Sequence, residues 1–338
     1  MNLEKAVEGS TILITGGTGS FGYQMTKRLL QIKNTHIIIY SRDEDKHRVM
    51  QNYFDDCRVS FVLGDVRDYD RLEQSLKDVH IVMHAGALKQ IPSVEFNPME
   101  AIKTNTTSAF NILKASDKMG VEKVVAISTD KACEPLNSYG LSKALMEKII
   151  IGDEIWSDTT IASCVRYGNV LGSRGSVLPV WDKCIEESKP IPITNYDMRR
   201  FFITLDQATD LILFSLQRMK GKEIFVRKAP AIKITDLANV YADLKLSTIQ
   251  TKNQKSKLKN RSYPLRSIGI RSGEKLDEIL ISKHEISRTK ELDKDYFVIR
   301  RQDNKGKNCL DNEYSSATTN QLNQEQIMKL LRGMNWIR

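Results

Sequence analysis

The stretch Thr15-Gly-Gly-Thr-Gly-Ser-Phe-Gly22 lies near the beginning of this 338-residue chain and follows the apolar run Ile12-Leu-Ile14. A strand, a glycine-rich turn and a helix in this order bind the pyrophosphate of a dinucleotide. Gly16 permits the tight turn, Gly19 lets the backbone approach the phosphates, and Gly22 lets the helix pack closely on the strand. The helix N-terminus then offers N–H donors and a positive dipole to the anion.

Strand-like and helix-like segments alternate through the first half of the chain. Predicted strands span residues 11–15, 36–40, 59–63, 80–84, 123–128 and 160–167, and predicted helices span 21–32, 45–54, 69–76, 98–118 and 138–152. Apolar strands that alternate with helices form a parallel sheet that is covered on both faces. We therefore predict an α/β fold with a doubly wound parallel sheet over residues 1–168, to which later segments at about 203–226 cross back.

Turn-forming residues become frequent after residue 168. The remaining pattern predicts a smaller, mixed α/β domain over residues 169–338, which is discontinuous and binds the substrate. The elements predicted after residue 168 are helices at 177–187, 206–219 and 234–244 and a strand at 224–226, and those between 203 and 226 belong to the segments that cross back to the first domain. Residues 245–266 are polar and rich in lysine, which predicts a basic surface insertion.

Charge and composition argue against several classes of protein. The net charge is +9, and residues 251–261 contribute five positive charges without an acid or an aromatic residue. Such a run is typical of a solvated loop and offers no platform for stacked bases, so we expect no nucleic-acid partner. No apolar run reaches the roughly 18 residues of a membrane span, and no secretory signal is visible, so we expect no membrane contact. The five cysteines lack C-x-x-C spacing, which predicts reduced thiols, a cytoplasmic location and no metal site.

Tyr139 and Lys143 are four residues apart on a predicted helix and therefore lie on one face of it. A tyrosine phenol titrates near pH ~10, but a neighbouring ammonium and a positively charged nicotinamide would lower its pKa. Such a tyrosine can take a proton from a sugar hydroxyl while a hydride leaves the same carbon. The same spacing also occurs in exposed helix pairs, but the preceding glycine-rich turn favours the catalytic interpretation.

Ser128-Thr-Asp-Lys131 ends a predicted strand. Ligands bind at the carboxyl ends of parallel strands. Asp130 and Lys131 therefore predict an acid–base pair beside the tyrosine, with a solvated turn as the alternative.

Arg42 follows the second predicted strand, at the point where enzymes that prefer NAD carry an acid. An arginine there can pair with a 2′-phosphate, so we expect NADP, although the neighbouring Asp43 and Glu44 leave NAD open. Gly64-Asp-Val66 follows the third strand and is placed to contact the adenine, unless it is a simple turn.

Taken together, these segments resemble the extended short-chain dehydrogenase/reductase family. Within it they are similar to the inverting UDP-N-acetylglucosamine 4,6-dehydratases (4,6-dehydratase/5-epimerases) of bacterial glycan biosynthesis. The resemblance covers roughly residues 10–300 and rests on residues 15–22, 40–44, 64–68, 84–89, 128–143, 166–169, 173–176, 198–201, 223–226, 271–275 and 313–316.

The resemblance implies a reaction without net redox change and a tightly bound NADP. Tyr139, with Lys143 lowering its pKa, would take the C4 hydroxyl proton of UDP-N-acetylglucosamine while the cofactor takes the C4 hydride. Lys131, as a neutral amine, would remove the C5 proton, and Asp130 would protonate the departing C6 hydroxyl. Return of the hydride to C6 and inversion at C5 would give UDP-2-acetamido-2,6-dideoxy-β-L-arabino-hexos-4-ulose.

The identity of the residues at positions 130 and 131 helps to distinguish an inverting dehydratase from the related enzymes. Retaining 4,6-dehydratases carry Asp-Glu at this place, and simple 4-epimerases generally carry a small hydroxyl residue. Both activities stay open as alternatives, and an NADP-binding sensor on the same fold is the non-enzyme alternative. Two features depart from the family pattern: Tyr139 stands where some close relatives have methionine, and a lysine-rich insertion precedes Ile268.

The resemblance also implies a set of binding residues and a homo-oligomer, either a dimer or a hexamer. The expected cofactor-binding residues are Thr15, Gly16, Gly19, Ser20, Phe21, Gly22, Ser41, Arg42, Asp65, Val66, Ala85, Lys89, Tyr139 and Lys143. The expected substrate-binding residues are Lys89, Thr129, Asn169, Arg174, Val177, Arg200, Arg271 and Glu274. The arginines among them suit a diphosphate, since a guanidinium can bind it through two hydrogen bonds.

Overall fold

The computed structural model describes residues 3–152, 159–252, 263–302 and 308–334. The chain divides into two compact units. The first comprises Met1–Tyr167, Leu205–Lys228 and Leu280–Glu313, and the second comprises Gly168–Thr204, Ala229–Ile279 and Tyr314–Arg338. The sequence pattern had placed residues 280–313 in the second domain. They belong to the first unit because they supply two strands to its sheet.

The described residues contain strands in both units. In chain order they are β1 (Thr11–Thr15), β2 (His36–Ser41), β3 (Val59–Leu63), β4 (Ile81–His84), β5 (Lys123–Thr129), β6 (Ile161–Tyr167), β7 (Asn169–Val170), β8 (Ile191–Ile193), β9 (Arg199–Ile203), β10 (Ile224–Arg227), β11 (Ala231–Lys233), β12 (Leu265–Ser267), β13 (Ile279–Ile281), β14 (Thr289–Asp293), β15 (Tyr296–Ile299) and β16 (Tyr314–Ser315).

The first unit is built on a nine-stranded sheet with the order β14-β15-β10-β6-β5-β4-β1-β2-β3. The strands from β10 to β3 pair in parallel, with Leu13 opposite Ile38 on one side and Val82 on the other. The apolar side chains of β1 are fully buried, as expected for a sheet covered on both faces. The prediction of a doubly wound parallel sheet is therefore confirmed. The strand order reverses between β1 and β4, and a ligand crevice is expected at such a point.

The α-helices lie close to the positions that the periodicity predicts, except for α4 and α11, which were not predicted. They are α1 (Ser20–Leu29), α2 (Glu44–Tyr53), α3 (Tyr69–Ser75), α4 (Ile91–Phe96), α5 (Pro98–Ala101), α6 (Ser108–Met119), α7 (Ser138–Ile151), α8 (Val177–Glu186), α9 (Leu205–Arg218), α10 (Ile234–Lys252) and α11 (Gln324–Gly333). Three short 3₁₀ turns span Leu3–Ala6, Asp130–Ala132 and Lys283–Arg288.

The long helix expected over residues 98–118 is interrupted. A π-helical stretch, Ile102–Thr107, joins α5 to α6. The wider turn carries buried polar side chains inward: Asn105 bonds both backbone groups of Leu88 and the hydroxyl of Ser142, and Thr106 donates to the Ser142 carbonyl. These tertiary hydrogen bonds explain the departure from regular α-helix, since they stabilise the wider π-helical turn.

The second unit has a mixed three-stranded sheet, in which β9 runs parallel to β7 and antiparallel to β11. A separate parallel pair joins β8 and β12. Its apolar core includes Trp181 from α8, Tyr241 from α10 and Ile327 from α11. The Tyr241 hydroxyl donates to Asp182 at 2.6 Å, so the buried ring keeps a partner for its polar end.

The basic insertion predicted over residues 245–266 is shorter in the structure. Residues 245–252 continue α10, while Tyr263 is buried and residues 265–267 form β12. A long polar helix end carries no apolar period, which is why the sequence pattern stopped at residue 244. The lysine-rich residues 253–262 lie outside the described residues. Among the described helices, none is long and apolar enough to cross a membrane.

Candidate active site

The glycine-rich turn between β1 and α1 leaves no room for side chains. Gly16 has a φ of +62°, and a Cβ on it would lie 2.8 Å from the Cα of Gly86. A Cβ on Gly22 would lie 1.9 Å from the carbonyl oxygen of Gly17. Because Gly19 precedes the first residue of α1, the turn runs directly into a helix N-terminus. This geometry fits the pyrophosphate of a dinucleotide.

The other residues predicted to contact a cofactor surround this turn in the first unit. They are Thr15 at the end of β1, Ser20 and Phe21 at the start of α1, Ser41 and Arg42 at the end of β2, Asp65 and Val66 after β3, and Ala85 and Lys89 after β4. Most of them follow the carboxyl ends of adjacent parallel strands. This is the edge at which doubly wound sheets bind nucleotides.

The hydroxyl of Ser41 lies in a buried hydrogen-bonded chain. It is 3.1 Å from the hydroxyl of Thr18 in the glycine-rich turn and 2.6 Å from Nε2 of His47 on α2. Burial lowers the pKa of His47, and the charge of Asp43 opposes this effect. The chain fixes the end of β2 relative to the glycine-rich turn. His47 was not predicted as part of the site, because a histidine inside a helix carries no local signal of its hydrogen-bond partner.

Arg42 extends from this anchored strand end with its side chain about half exposed (52%). Its Nη1 is 3.3 Å from Asp65, and Arg67 binds the same carboxylate through Nε and Nη2. Burial raises the pKa of Asp65, but the hydrogen bonds from Arg67 and the charge of Arg42 lower it overall. Arg67, which the sequence analysis did not find, also reaches Glu100. Two guanidinium groups therefore flank the carboxylate that was assigned to the adenine.

A second buried chain links the glycine-rich turn to the π-helical stretch. The Gly86 N–H donates to the Thr15 hydroxyl, which is 2.7 Å from Nδ1 of His84. Nε2 of His84 is 3.3 Å from the Ser108 hydroxyl, which donates to the Thr104 carbonyl. This order assigns the ring hydrogen to Nε2. Burial, together with the charge of Lys143, lowers the pKa of His84 to about 3, so this imidazole is neutral.

Lys89 follows the segment that Asn105 holds. Both backbone groups of Leu88 bond to the Asn105 side chain, at 2.8 and 2.9 Å. Burial lowers the pKa of Lys89. The π-helical stretch thus fixes the backbone from which this lysine extends.

Tyr139 lies in the first turn of α7, and its hydroxyl is hydrogen-bonded to Thr129 at the end of β5. Burial raises the pKa of Tyr139, whereas the positive charge of Lys131 and the Thr129 hydrogen bond oppose the increase. The sequence analysis assigned the opposing charge to Lys143. In the structure the cation that acts on the phenol is Lys131.

Asp130 and Lys131 form an ion pair in the 3₁₀ turn that follows β5. Asp130 is fully buried, and its Oδ1 accepts from Nζ of Lys131 at 3.0 Å and from the Thr129 hydroxyl at 2.9 Å. Its other oxygen, Oδ2, has no hydrogen-bond partner among the described residues. The side chain of Lys131 is 19% exposed. The predicted acid–base pair is therefore brought together, with one buried oxygen still open to a further donor.

Gly140 allows α7 to approach this turn. A Cβ at Gly140 would lie 2.2 Å from the carbonyl oxygen of Lys131. The neighbouring Asn137 caps the helix by accepting from the Gly140 N–H at 2.8 Å. The close contact of Gly140 with Lys131 depends on tertiary packing and leaves no signal in the local sequence.

Lys143 is buried one helical turn after Tyr139 and points to Met146, whose Sδ is 2.9 Å from Nζ. Burial lowers the pKa of Lys143 to about 8, although Cys164 and Glu147 act to raise it. The two lysines thus differ in their environments. Lys131 forms an ion pair with a carboxylate, whereas Lys143 is buried next to the sulfur of Met146.

The expected substrate residues divide between the two units. Lys89 and Thr129 belong to the first unit, together with the four proposed catalytic residues. The second unit contains the other residues: Asn169 in β7, the exposed Arg174, Val177 at the start of α8, Arg200 in β9, and Arg271 with Glu274.

Arg200 differs from the expectation of a free phosphate ligand. It is buried, and its guanidinium donates to the carbonyls of Arg199, Lys275 and Leu276, while Nε lies 3.7 Å from Glu278. These bonds use most of its N–H groups. In this structure Arg200 holds the segment that follows Arg271 and Glu274 within the second unit.

No group of three or more His, Cys, Asp or Glu side chains within the described parts of the chain could hold a metal ion. The cysteines are present as free thiols.

Comparisons with known proteins agree with this arrangement. The family described as "Polysaccharide biosynthesis protein" matches residues 12–300. A "UDP-N-acetylglucosamine 4,6-dehydratase (inverting)" of Campylobacter jejuni subsp. jejuni serotype O:23/36 (strain 81-176) is 44% identical over 294 residues, which cover 86% of this chain and 83% of the relative. A "UDP-glucose 4-epimerase" of Rickettsia bellii (strain OSU 85-389) is 39% identical over 347 residues, 97% of this chain and 96% of the relative. The X-ray structure of Pen from Bacillus thuringiensis superposes with a TM-score of 0.87 at 32% identity, covering 97% of this chain and 98% of that one.

Proposed function

Because the chain belongs to the polysaccharide biosynthesis family of extended short-chain dehydrogenases/reductases, we propose that it is an inverting 4,6-dehydratase of UDP-N-acetylglucosamine. The observation that carries this proposal is the ion pair of Asp130 and Lys131. It adjoins Thr129, whose hydroxyl bonds both Asp130 and the Tyr139 phenol. One site therefore combines a phenol for oxidation with an acid and a base for elimination.

The first step uses Tyr139, which takes the proton of the C4 hydroxyl. The positive charge of Lys131 stabilises the phenolate that this step requires. When bound beside the glycine-rich turn between β1 and α1, a nicotinamide would supply the hydride chemistry that the oxidation of C4 requires. The C4 ketone then makes the C5 proton acidic enough for removal by a side-chain base.

The elimination requires a neutral amine and a carboxylic acid, and one proton transfer within the ion pair supplies both. Movement of a proton from Nζ of Lys131 to Asp130, over the 3.0 Å that separates their atoms, leaves an amine and a protonated carboxyl group. Lys131 then accepts the C5 proton, and Asp130 gives its proton to the departing C6 hydroxyl as water forms. Reprotonation of C5 on the opposite face gives the L-configured product.

A 4-epimerase is the second candidate, since relatives with that name match almost the whole chain. Epimerisation at C4 shares the oxidation step but removes no proton from C5 and no hydroxyl from C6. It therefore leaves Asp130 and Lys131 without a chemical task, and the ion pair favours dehydration.

The cofactor that we propose is NADP. Arg42 extends from the anchored end of β2 with a half-exposed guanidinium, and it makes one ion pair, with Asp65. A 2′-phosphate offers such a guanidinium two further hydrogen bonds. Arg67 already balances the negative charge of Asp65 through two hydrogen bonds. The guanidinium of Arg42 can therefore turn from Asp65 to the 2′-phosphate.

We also propose that the second unit binds the UDP moiety through Asn169, Arg174 and Arg271, with Arg200 holding the segment that carries Arg271. A nucleotide-sugar substrate and free thiols favour a cytoplasmic location.

Assembly as a homo-oligomer, at least a dimer, is proposed from an exposed apolar surface in the first unit. Large side chains protrude from α4, α5, the π-helical stretch and α7, which pack together. They are Phe96 (88% exposed), Met99, Ile102, Leu141 and Leu145. A group of exposed large apolar side chains on elements that pack together favours an interaction site.

Incubation with UDP-N-acetylglucosamine, and separately with UDP-glucose, in deuterium oxide tests the proposal. An L-configured 4-keto-6-deoxy sugar with deuterium at C5, identified by NMR, would support it. A C4 epimer would support the second candidate, a D-configured product would indicate a retaining dehydratase, and folded protein without turnover would favour a sensor.

A further inference from the structure

A buried cluster of three charged side chains lies beside the proposed catalytic residues but contains none of them. Arg166 on β6 donates to Glu147 through Nε at 2.9 Å and Nη2 at 2.6 Å. It also donates to both oxygens of Glu285 at 2.9 Å and to the Leu280 carbonyl at 2.8 Å. These five hydrogen bonds use every N–H group of the guanidinium.

One carboxylate of the cluster belongs to the helix of the redox residues. Glu147 lies on α7, one turn after Lys143 and two turns after Tyr139. Its charge acts to raise the pKa of Lys143 against the effect of burial. The bidentate bond from Arg166 therefore fixes the rotation of α7 against β6, because side chains four residues apart share a face.

The other carboxylate contacts the turn of the acid–base pair. Oε2 of Glu285 accepts a weak hydrogen bond from the Cys133 thiol at 3.7 Å. Cys133 directly follows the Asp130–Ala132 turn, and its N–H donates to the Asp130 carbonyl at 3.0 Å. Burial would raise the pKa of Glu285, but Arg166 and the Ser282 hydrogen bonds lower it to about 2.

The charges of the cluster also extend beyond a single ion pair. Arg166 contributes one positive charge against the two negative charges of Glu147 and Glu285. The nearby Lys143 ammonium balances the remaining negative charge. Such a fully hydrogen-bonded buried network specifies one arrangement of its parts, whereas its net stabilisation of the fold is small.

We propose that Arg166 is a positioning residue that sets two catalytic elements against one another. Through Glu147 it places α7, with Tyr139 and Lys143, and through Glu285 and Cys133 it places the turn of Asp130 and Lys131. The assignment of the two half-reactions to these elements rests on the proposed function.

Two isosteric substitutions test separately the contact of Arg166 with Glu147 and its contact with Glu285. Glu147→Gln and Glu285→Gln each leave Arg166 with one carboxylate and put an amide of the same shape in place of the other, so both variants are expected to fold. Glu285→Gln should slow deuterium exchange at C5 and water loss about tenfold or more, while C4 oxidation in a single turnover stays near the wild-type rate. Glu147→Gln should slow C4 oxidation by a similar factor. Arg166→Lys, which cannot reach both carboxylates, should slow both steps.

Amide hydrogen exchange provides a readout that does not depend on turnover. Glu285→Gln should increase exchange in residues 130–137 more than in α7, and Glu147→Gln should do the reverse. Equal effects of the two variants on both half-reactions and on both segments would show that the cluster only stabilises the fold, and the proposal would be wrong. If wild-type protein forms no product from UDP-N-acetylglucosamine but the exchange pattern holds, the proposed function fails while the positioning role stands.

Discussion

Lys131 combines a positive charge and a base in one side chain, and two substitutions separate these roles. Lys131→Arg keeps a positive charge beside Asp130 and Tyr139, but a guanidinium stays protonated and cannot accept the C5 proton. Lys131→Met has a similar length and removes both the charge and the base. The comparison is informative because the charge of Lys131, and not that of Lys143, opposes the increase in the pKa of Tyr139.

The expected magnitudes follow from the geometry. Loss of a general base costs about 10²–10⁴-fold in rate, so C5 exchange should fall by this factor in both variants. An opposite charge near an ionisable group shifts its pKa by about 1–3 units, which is about 1.4–4 kcal/mol of phenolate stability. C4 oxidation should therefore stay within a few-fold of wild type in Lys131→Arg and fall about 10–10³-fold in Lys131→Met.

The Met variant also leaves Asp130, which is fully buried, with the Thr129 hydroxyl as the remaining donor to its Oδ1. Breaking a buried pair costs about 3–5 kcal/mol, and partial exposure of Lys131 places the expected loss near the lower end. Urea denaturation of each variant therefore accompanies the kinetics, so that a loss of folded protein is not taken for a loss of rate.

The assay is a single turnover of UDP-N-acetylglucosamine in deuterium oxide. The absorbance of the reduced nicotinamide follows C4 oxidation, and NMR follows deuterium at C5. Wild-type C5 exchange in Lys131→Arg would assign the base to another residue. Equal C4 oxidation in the Arg and Met variants would refute the control of Tyr139 by the charge of Lys131.

Three further predictions concern the cofactor, the pH dependence of stability and the assembly. Purified protein should release NADP on denaturation, and Arg42→Ala should weaken NADP more than NAD in a binding titration; release of NAD alone would contradict the role of Arg42. The pKa of His84 is about 3 in the folded chain, below its ordinary value of 6.5, so the unfolded chain takes up a proton first as the pH falls. Between about pH 7 and pH 5 this should cost about 2 kcal/mol of the free energy of unfolding, measured by urea denaturation, and His84→Gln should lack that part; an equal slope in the variant would exclude His84 as its source. Leu141→Glu combined with Leu145→Glu should convert the oligomer to a monomer in light scattering, and a wild-type monomer at micromolar concentration would exclude the proposed surface.

Local patterns predicted the parallel part of the first sheet and the glycine-rich turn. Runs such as Ile12-Leu-Ile14 next to a glycine-rich turn have few alternative structures, because only a buried strand and a tight turn suit them. The antiparallel strands β14 and β15 were missed. β14 is polar and partly exposed, as edge strands often are, so its alternation is weak. The π-helical stretch was also missed, because its cause is the contact of Asn105 with Leu88 and Ser142.

The site was predictable where neighbours in sequence are also neighbours in space. Asp130 and Lys131 are adjacent, and their pairing at the end of β5 follows from the strand pattern. The partners of long side chains were not predictable. Arg200 bonds to carbonyls some 75 residues further along the chain, and the ammonium of Lys143 turns to Met146. Sequence spacing predicts which face of a helix a side chain lies on. The hydrogen-bond partner of a long lysine or arginine side chain depends instead on burial and on backbone carbonyls far away in the sequence.

The interrupted connectivity of the first sheet has a consequence for synthesis on the ribosome. Glu285 emerges 119 residues after Arg166, which at translation rates of about 5–20 residues per second is an interval of roughly 6–24 s. Within this interval β6 lacks its neighbour β10 until residues 224–227 appear, and β10 lacks β15 until residues 296–299 follow Glu285. The nascent chain therefore presents an unpaired strand edge and an arginine without its second carboxylate. An unpaired strand edge of this kind is a site at which chaperones can act on the nascent chain.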